Sequence, residues 1–517
     1  MGDSAHVDIN PRRSLFVCRS ANWSGYERDR HAELERVIGL LVALYAVVAL
    51  WLSLYGFQAL ALTVLYFRHR LASSPAAAIA EGDWPSVIVQ LPVFNERYVV
   101  ERLIDSAAAL DYPRDRLIIQ VLDDSTDDTT EIAAARAALH RDAGIDVRVL
   151  HRDDRRGYKA GALAWGLGQV NGEFVAVFDA DFRPRPDFLR RTNAALIARP
   201  DVGMVQTRWS HLNDEYSYLT HVQSLALDGH FVVEQTARNR SGLLINFNGS
   251  GGVWRRACID DAGGWQADTM TEDMDLSYRA QLAGWHTLYL PDVDAPAELP
   301  AQMEAFKRQQ ARWAQGSMQC LRKLSPLILR SDLAWYQKLM ALVHISGYLS
   351  QPLIVLLLLT LLPILWVREA TPSFLVALAV ASVGPPLLYA VAQVALYRDW
   401  KRRFAYLPAL LAVGAGMTWS TTRAVWQGLT SWGGVFKRTP KFRLEGRTGH
   451  WTSNAYRLRA DWTVLGEIAL FLYAVSTAGV AIARGQYGIL PFLMLYVVGY
   501  AVVAASTLWQ GRGARAS

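Results

Sequence analysis

Apolar positions are spread unevenly along the 517 residues. Residues 37–67 are almost wholly apolar, residues 68–338 mix apolar and polar positions as a water-soluble unit does, and residues 339–508 return to long apolar runs. An apolar segment of about 20 residues is long enough to cross a bilayer as a helix. The run at 37–67 is too long for a signal-peptide core and predicts a retained membrane helix, preceded by a polar, Arg-rich arm (1–36) without chemistry of its own. Two spans are predicted at 339–397 (about 339–367 and 373–397) and two more at 463–508 (about 463–483 and 488–508), followed by a basic tail at 509–517. Residues 405–430 are interrupted by Pro408, Gly414 and Gly416 and carry Arg423, so they read as re-entrant or interfacial. The basic segment 398–404 marks a cytoplasmic loop. Five spans then put the amino terminus outside, an orientation against which the six arginines of the first 36 residues count.

The soluble stretch has a different rhythm. Val87 to Leu91 is a β-branched run that predicts a buried strand, with a helix after it at about 97–110. Leu117 to Leu122 predicts a second strand, running into Asp123 and Asp124; a helix over 129–143 and a third strand at Asp146 to Leu150 follow. Lys159 lies in a Gly-flanked turn that opens the next helix. Then comes Val175 to Pro184, VAVFDADFRP, an apolar strand ending in Asp179 and Asp181. Alternating strands and helices imply an α/β domain with a mostly parallel sheet covered on both faces. Ligands bind such sheets at the carboxyl ends of the strands, where these acids fall. Asp179 and Asp181 share one side of an extended backbone, so both carboxylates can aim at one hard cation. Such an ion is suited to neutralising the pyrophosphate of a nucleotide sugar. Lys159, beside helix N–H groups, suits phosphate, although a solvated lysine fits the pattern as well. The carboxylates of Asp123 and Asp124 suit a base N–H or ribose hydroxyls, and helix capping by Ser125 or Asp127 can coexist with that role.

Farther on, Asn246 to Gly252 is a Gly-rich loop that lets backbone approach a ligand. Thr271, Glu272 and Asp273 precede a helix beginning near Met274, where Thr271 as a cap is the competing reading. From Gln302, Met303, Phe306, Trp313 and Leu324 form one stripe, with Lys307, Arg308, Arg322 and Lys323 available for lipid headgroups. The formal charge of +6 is modest, and its basic clusters flank membrane segments. That suits a lipid face; no zinc-finger pattern or basic recognition helix points to nucleic acid. Cys18, Cys258 and Cys320 are few and scattered, which argues against a disulfide framework and for a reducing compartment.

VQLPVFNE (89–96), IQVLDDSTDDT (119–129), KAGAL (159–163), FDAD (178–181), FNGSGGVWR (247–255), TEDMDLSYR (271–279) and QQARW (309–313) occur in one order along the chain. This set resembles the family-2 glycosyltransferases, membrane-embedded processive branch: cellulose synthase, hyaluronan synthase and the cellulose-synthase-like glucan and mannan synthases. The resemblance implies a GT-A-like, mostly parallel α/β nucleotide-sugar transferase domain (68–299) inserted between transmembrane helices. Interfacial helices carrying QxxRW (300–338) and an interfacial or re-entrant segment with a gating-like loop (398–462) complete it. By the family pattern Asp123, Asp124, Lys159 and Asp179 bind the donor, and Asp179 and Asp181 hold Mg²⁺ or Mn²⁺. Asp273 is the catalytic base, and Gln309, Arg312 and Trp313 meet the acceptor and the diphosphate. Thr439 and Lys441 match a cellulose-synthase gating loop, from which the intervening Pro440 departs.

The expected function is an inverting β-glycosyltransferase, with UDP-glucose and GDP-mannose both fitting as donors. Its expected product is a β-linked, 1,4-linked glucan or mannan, elongated on a growing polysaccharide acceptor and passed through the membrane. The expected location is a plasma (inner) membrane, with lipid contacts and the catalytic domain in the cytoplasm. The alternative is a non-processive transferase adding a sugar to a lipid acceptor. A transporter or scaffold with an inactive sugar-binding domain is the rival of another class, and it has no need of Asp273. Nothing resembles a cyclic-dinucleotide domain, so no such control is expected; whether a secretion partner takes part stays open.

Overall fold

The computed structural model describes residues 11–72, 79–367, 379–452 and 455–512. Its centre is a seven-stranded sheet: β1 (Val87–Val93), β2 (Leu117–Asp123), β3 (Val147–His151), β4 (Phe174–Val177), β5 (Val202–His211), β6 (Gly252–Arg255) and β7 (His286–Ala297). The spatial order is β3-β2-β1-β4-β6-β5-β7. Only β6 runs antiparallel, to both β4 and β5; every other pairing is parallel. Helices α1 (Pro11–His69), α2 (Val100–Ala108), α3 (Thr129–Asp142), α4 (Tyr158–Leu167), α5 (Phe188–Ala198), α6 (Tyr218–Asp228), α7 (Gln235–Arg240), α8 (Arg256–Asp261) and α9 (Glu272–Leu282) precede or surround the sheet. The first three predicted strands and the helices between them therefore stand where the apolar periodicity put them, within a few residues.

Alternation along β1 explains the two-faced core. Val87, Val89 and Leu91 pack with Leu103, Ile104, Ala133 and Phe188 of α2, α3 and α5 on one face. Ile88 turns to the other, with Leu163, Ile259 and Leu276 of α4, α8 and α9. Each such fully buried aliphatic side chain contributes about 1.5–3 kcal/mol through removal from water. Two polar side chains interrupt these layers in register, Gln90 and Gln120. They bond each other at 3.1 Å and the α4 carbonyls of Leu163 and Gly166 at 3.1 and 2.9 Å, which pairs both buried amide nitrogens and Gln120 Oε1 and leaves Gln90 Oε1 without a partner.

The strand leading to the paired aspartates is shorter than the apolar run. β4 ends at Val177, and the Asp179 N–H is taken by Ser250 Oγ at 2.9 Å rather than by a neighbouring strand. Asp179 and Asp181 thus stand on a turn, closed by Phe182 N–H to the Asp179 carbonyl at 3.0 Å.

After the sheet, α10 (Met303–Arg330) runs between the sheet domain and the apolar half, followed by α11 (Trp335–Ile345) and α12 (Ser350–Val367). Among the described residues four helices are long and apolar enough to cross a membrane: Ala32–His69, Gly347–Val367, Val464–Ala483 and Tyr487–Gly511. The span expected at 373–397 lies partly outside the described residues, and its described part is a shorter apolar helix, Ala381–Leu396. The polar arm expected at 1–36 continues α1 backwards to Pro11. The ambiguous stretch 405–430 forms two consecutive helices, Leu407–Gly416 and Thr418–Thr430. Gly416 lies against the last span: a Cβ there would come within 2.7 Å of Val503 Cγ2, so the missing side chain permits the close helix approach.

Candidate active site

The carboxyl ends of β1, β2 and β4, the loop before β6, the start of α9, the middle of α10 and a strap at residues 436–441 enclose one cleft. Asp124, Lys159, Asp179, Asp181, Asp273, Gln309, Arg312, Trp313, Thr439 and Lys441 all line it. Ten residues separated by up to 317 positions are thereby gathered around one space.

Lys159 enters from the first turn of α4, after Gly157 in a left-handed conformation (φ 75°). Its Nζ donates to the Gly249 carbonyl at 2.7 Å, lies 2.6 Å from Asp179 Oδ1 and 3.9 Å from Glu272 Oε1. Burial works against its charge, but the Asp179 and Glu272 carboxylates outweigh that and hold its pKa above the usual lysine range. Gly249 stands beside both Lys159 and Asp273 with φ 82°. A Cβ there would come 2.8 Å from Asp273 Oδ2 and 3.3 Å from Lys159 Nζ.

Asp273 stands in the first turn of α9, where its Oδ1 accepts the Met274 N–H at 2.8 Å. Burial, then the charge of Glu272, pushes its carboxyl up to about 7, against the pull of Lys159. Thr271 does not cap this helix with its side chain; its hydroxyl meets Cys320 Sγ of α10 at 3.4 Å. Trp313 and Gln309 face the cleft one turn apart on α10. Arg312 reaches the strap, donating to the Lys437 carbonyl at 2.9 Å and Thr439 Oγ1 at 3.2 Å, with its guanidinium 4.5 Å from the Phe436 ring centre. Lys441 is 2.5 Å from Asp181 Oδ2.

Asp123 is placed differently. Its carboxylate is fully buried and does not line the cleft; it accepts from Ser125 N–H at 3.0 Å and Thr130 Oγ1 at 2.6 Å and pairs with His151 Nδ1 at 2.8 Å. Asp124 faces the cleft while held in a two-point pair with Arg152, at 2.7 and 2.6 Å. Sequence reasoning passed over Glu96, Arg155, Trp209 and Arg438, which also line the cleft. Arg155 stacks 3.2 Å over the Phe94 ring. Arg438 donates to the Asn95 carbonyl and lies 3.4 Å from Glu96, whose carboxyl burial pushes up to about 8. Glu96 closes the VQLPVFNE motif and Arg438 sits inside the strap, so position within a recognised motif was the available signal.

Oxygen-only ligands at Asp179 and Asp181 fit a hard divalent cation, and each carboxylate already has a lysine ammonium beside it, so both positions favour positive charge. No group of three or more His, Cys, Asp or Glu able to hold a metal occurs among the described residues. Asp179 and Asp181 are two carboxylates, one fewer than such a group needs.

Residues 85–316 match the family described as Glycosyltransferase like family 2. The chain is 36% identical over 395 residues to Glucomannan 4-beta-mannosyltransferase 2 of Arabidopsis thaliana, covering 71% of this chain and 73% of that protein. It is 43% identical over 257 residues to Glucomannan 4-beta-mannosyltransferase 1 of Oryza sativa subsp. japonica, covering 49% of each chain. A solved structure of a mannosyltransferase from Pyrobaculum calidifontis, in complex with GDP-Man and Mn2+, is 23% identical with a TM-score of 0.47, covering 75% of this chain and 99% of that one. The chain thus spans about half the length of the Oryza relative and about three quarters of the Arabidopsis one. With the ordered motifs, the mostly parallel sheet and the flanking apolar helices, the family match and the Arabidopsis relative make the chain a member of the family-2 glycosyltransferases, in their membrane-embedded processive, cellulose-synthase-like branch.

Proposed function

We propose that the protein is an inverting, metal-dependent β-glycosyltransferase that extends a β-1,4-linked mannan or glucan from a nucleotide-sugar donor. One observation carries the proposal: Asp273 Oδ2 and the Nζ of Lys159, which is paired with Asp179, converge on one point beside Gly249, 2.8 and 3.3 Å from where a Cβ would stand. A carboxylate able to take a hydroxyl proton and a cation able to meet a leaving diphosphate are thereby brought to one sugar-sized space.

Asp273 takes the proton of the acceptor hydroxyl as that oxygen attacks, a role worth about 10²–10⁴-fold. Lys159 and Arg312 place positive charge around the diphosphate. Trp313 offers an aromatic face to the acceptor ring. The strap residues Thr439 and Lys441 cover the donor and exclude water. Asp179 and Asp181 would hold Mg²⁺ or Mn²⁺, which supplies charge neutralisation to the leaving nucleoside diphosphate.

The names of the relatives favour mannosyl transfer. GDP-mannose is therefore the preferred donor over UDP-glucose. The membrane half suits transfer at the cytoplasmic face of a plasma (inner) membrane, with the polymer leaving through the protein's own helices.

The test is incorporation of label from GDP-mannose and, separately, from UDP-glucose. The purified full chain would be reconstituted in vesicles with Mg²⁺ or Mn²⁺, and products sized before and after linkage-specific glycanases. High-molecular-weight, mannanase-sensitive product protected inside the vesicles is expected. A short lipid-extractable product would replace the polymer reading with transfer to a lipid.

A further inference from the structure

The turn Gly229–Glu234, between α6 and α7, is a π-helix. Such turns are rare and recur at functional sites. Its core-facing residues are sealed: Phe231 and Val233 are 1% and 0% exposed. Two polar side chains on the same turn are not, His230 at 26% and Glu234 at 32%. Their geometry fixes the proton positions. Asn248 Oδ1 accepts from Gln235 Nε2 at 3.2 Å and Asn246 Nδ2 at 2.7 Å, so its amide nitrogen is the group that donates to His230 Nε2 at 3.1 Å. His230 Nδ1 then carries the hydrogen and donates to Glu234 Oε2 at 2.8 Å. Asn248 itself lines the catalytic cleft. The pair is thus one hydrogen bond away from the cleft, on the side of Trp209, which also lines it and stacks on Phe231 with ring centres 5.1 Å apart.

Away from the cleft the same turn meets the apolar half. A Cβ on Gly229 would come 2.9 Å from Tyr389 Cε1 of the helix Gly384–Leu396. The Tyr389 phenol is within electrostatic reach of Glu234 and of Tyr348, and Tyr348 donates to Gln310 Oε1 of α10 at 3.1 Å. Partly exposed hydrogen-bonding groups and phenol rings therefore continue from the cleft to the membrane helices, among otherwise buried neighbours.

We infer that Glu234, held in place by His230, forms a saccharide subsite for the acceptor, gripping hydroxyls of a sugar behind the one that reacts. This rests on the reading of the protein as a transferase to a saccharide acceptor. A half-exposed carboxylate with lone pairs to spare accepts hydroxyl hydrogens well, and flanking aromatic rings suit the apolar faces of pyranose rings. The same carboxylate repels a phosphate, so the position selects a neutral sugar over the phosphate end of a lipid-linked acceptor. His230 holds Glu234 in place and relays its position to Asn248; it is a positioning residue.

The experiment measures binding of β-1,4-mannotetraose and cellotetraose to the full chain in detergent, and the KM of each as acceptor. Nucleoside diphosphate release to water, donor KM and melting temperature are followed in parallel. Glu234→Ala is expected to raise the KM of the preferred oligosaccharide at least tenfold and shorten the product, with the kcat of donor hydrolysis within twofold. Glu234→Gln, which keeps the shape and one acceptor oxygen, is expected to fall between, and His230→Ala to follow Glu234→Ala. Equal oligosaccharide KM in all four proteins overturns the inference alone. A parallel loss of donor hydrolysis and melting temperature in Glu234→Gln also overturns it, because the pair then only supports the fold. If the unaltered protein binds neither oligosaccharide, the saccharide-acceptor reading falls and the subsite with it.

Discussion

The ammonium of Lys441 lies 2.5 Å from Oδ2 of Asp181, joining a strap on the membrane half to the turn after β4 across 260 residues of sequence. Lys441 also donates to the Glu298 carbonyl at 3.3 Å, and the next residue, Phe442, sends its N–H to Glu298 Oε1 at 2.7 Å. The strap is therefore fastened at a carboxylate that a divalent cation would use. An ammonium and a divalent ion compete for the same lone pairs. In Lys441→Met the competitor is gone, so Mn²⁺ affinity in the absence of donor should rise about tenfold, equivalent to ~1.4 kcal/mol. Turnover should fall, because the diphosphate loses a covering cation. Manganese titration by electron paramagnetic resonance, beside steady-state rates, checks both; unchanged manganese affinity would mean that Lys441 does not hold Asp181 in solution.

Gly249 makes a second prediction. Its φ of 82° is strained for any residue with a side chain, and a Cβ would press on Asp273 Oδ2. Gly249→Ala should cost about 1–2 kcal/mol in conformational strain. The larger effect is expected in catalysis, since displacing a reacting group by about 1 Å can cost on the order of 10²-fold. Folding should survive, donor affinity should change little, and kcat should drop. Calorimetric binding of nucleoside diphosphate beside kcat separates the two.

How much of this was legible follows the physics of each element. β1 and β2 announce themselves as β-branched runs that end in polar residues, because strands buried on both faces need continuous apolar sequence. β7 does not: His286, Asp292 and Asp294 break its pattern and Pro291 and Pro296 remove donors, which its position at the edge of the sheet tolerates. The residues that converge on the cleft from motifs, among them Lys159, Asp179, Asp181 and Asp273, could be named from sequence because each sits at a strand end or helix start. Asp123 could not be distinguished from Asp124 that way. Only the pairing of β2 with β3 sets His151 opposite Asp123 and commits its carboxylate to the protein interior. The π-helical turn and the fastening of the strap to Glu298 are likewise contacts between distant segments, with no local signature.

Arg312 tests the strap from the other side. Its guanidinium serves two strap acceptors and the Phe436 ring at once, a combination that needs a planar fork and that lysine lacks. Arg312→Lys should loosen the strap while leaving α10 folded. Trypsin cleavage within residues 437–443 should become faster in the variant, and donor KM should rise about tenfold. Identical cleavage rates would show that the strap is held by Lys441 and Arg438 alone.

As the proposed base, Asp273 should set the pH dependence. Its carboxyl is pushed up to about 7 by burial first and by the neighbouring Glu272 charge second, against the pull of Lys159. A general base acts as the carboxylate, so the sign is fixed: the active form is lost as pH falls through the raised pKa and is fully present above it. Turnover should drop about tenfold per pH unit below that point and be flat above it. A bound divalent cation adds positive charge nearby and favours the carboxylate, so saturating metal should move the acid limb to lower pH. Glu272→Gln removes the like charge and should move the limb the same way. Asp273→Asn should abolish the limb and lower turnover about 10²–10⁴-fold at every pH, with donor binding retained. Rates from pH 5 to 9 for the three proteins, at fixed saturating donor, carry the decision. An acid limb that persists in Asp273→Asn would belong to another group, and the base would have to be sought elsewhere in the cleft.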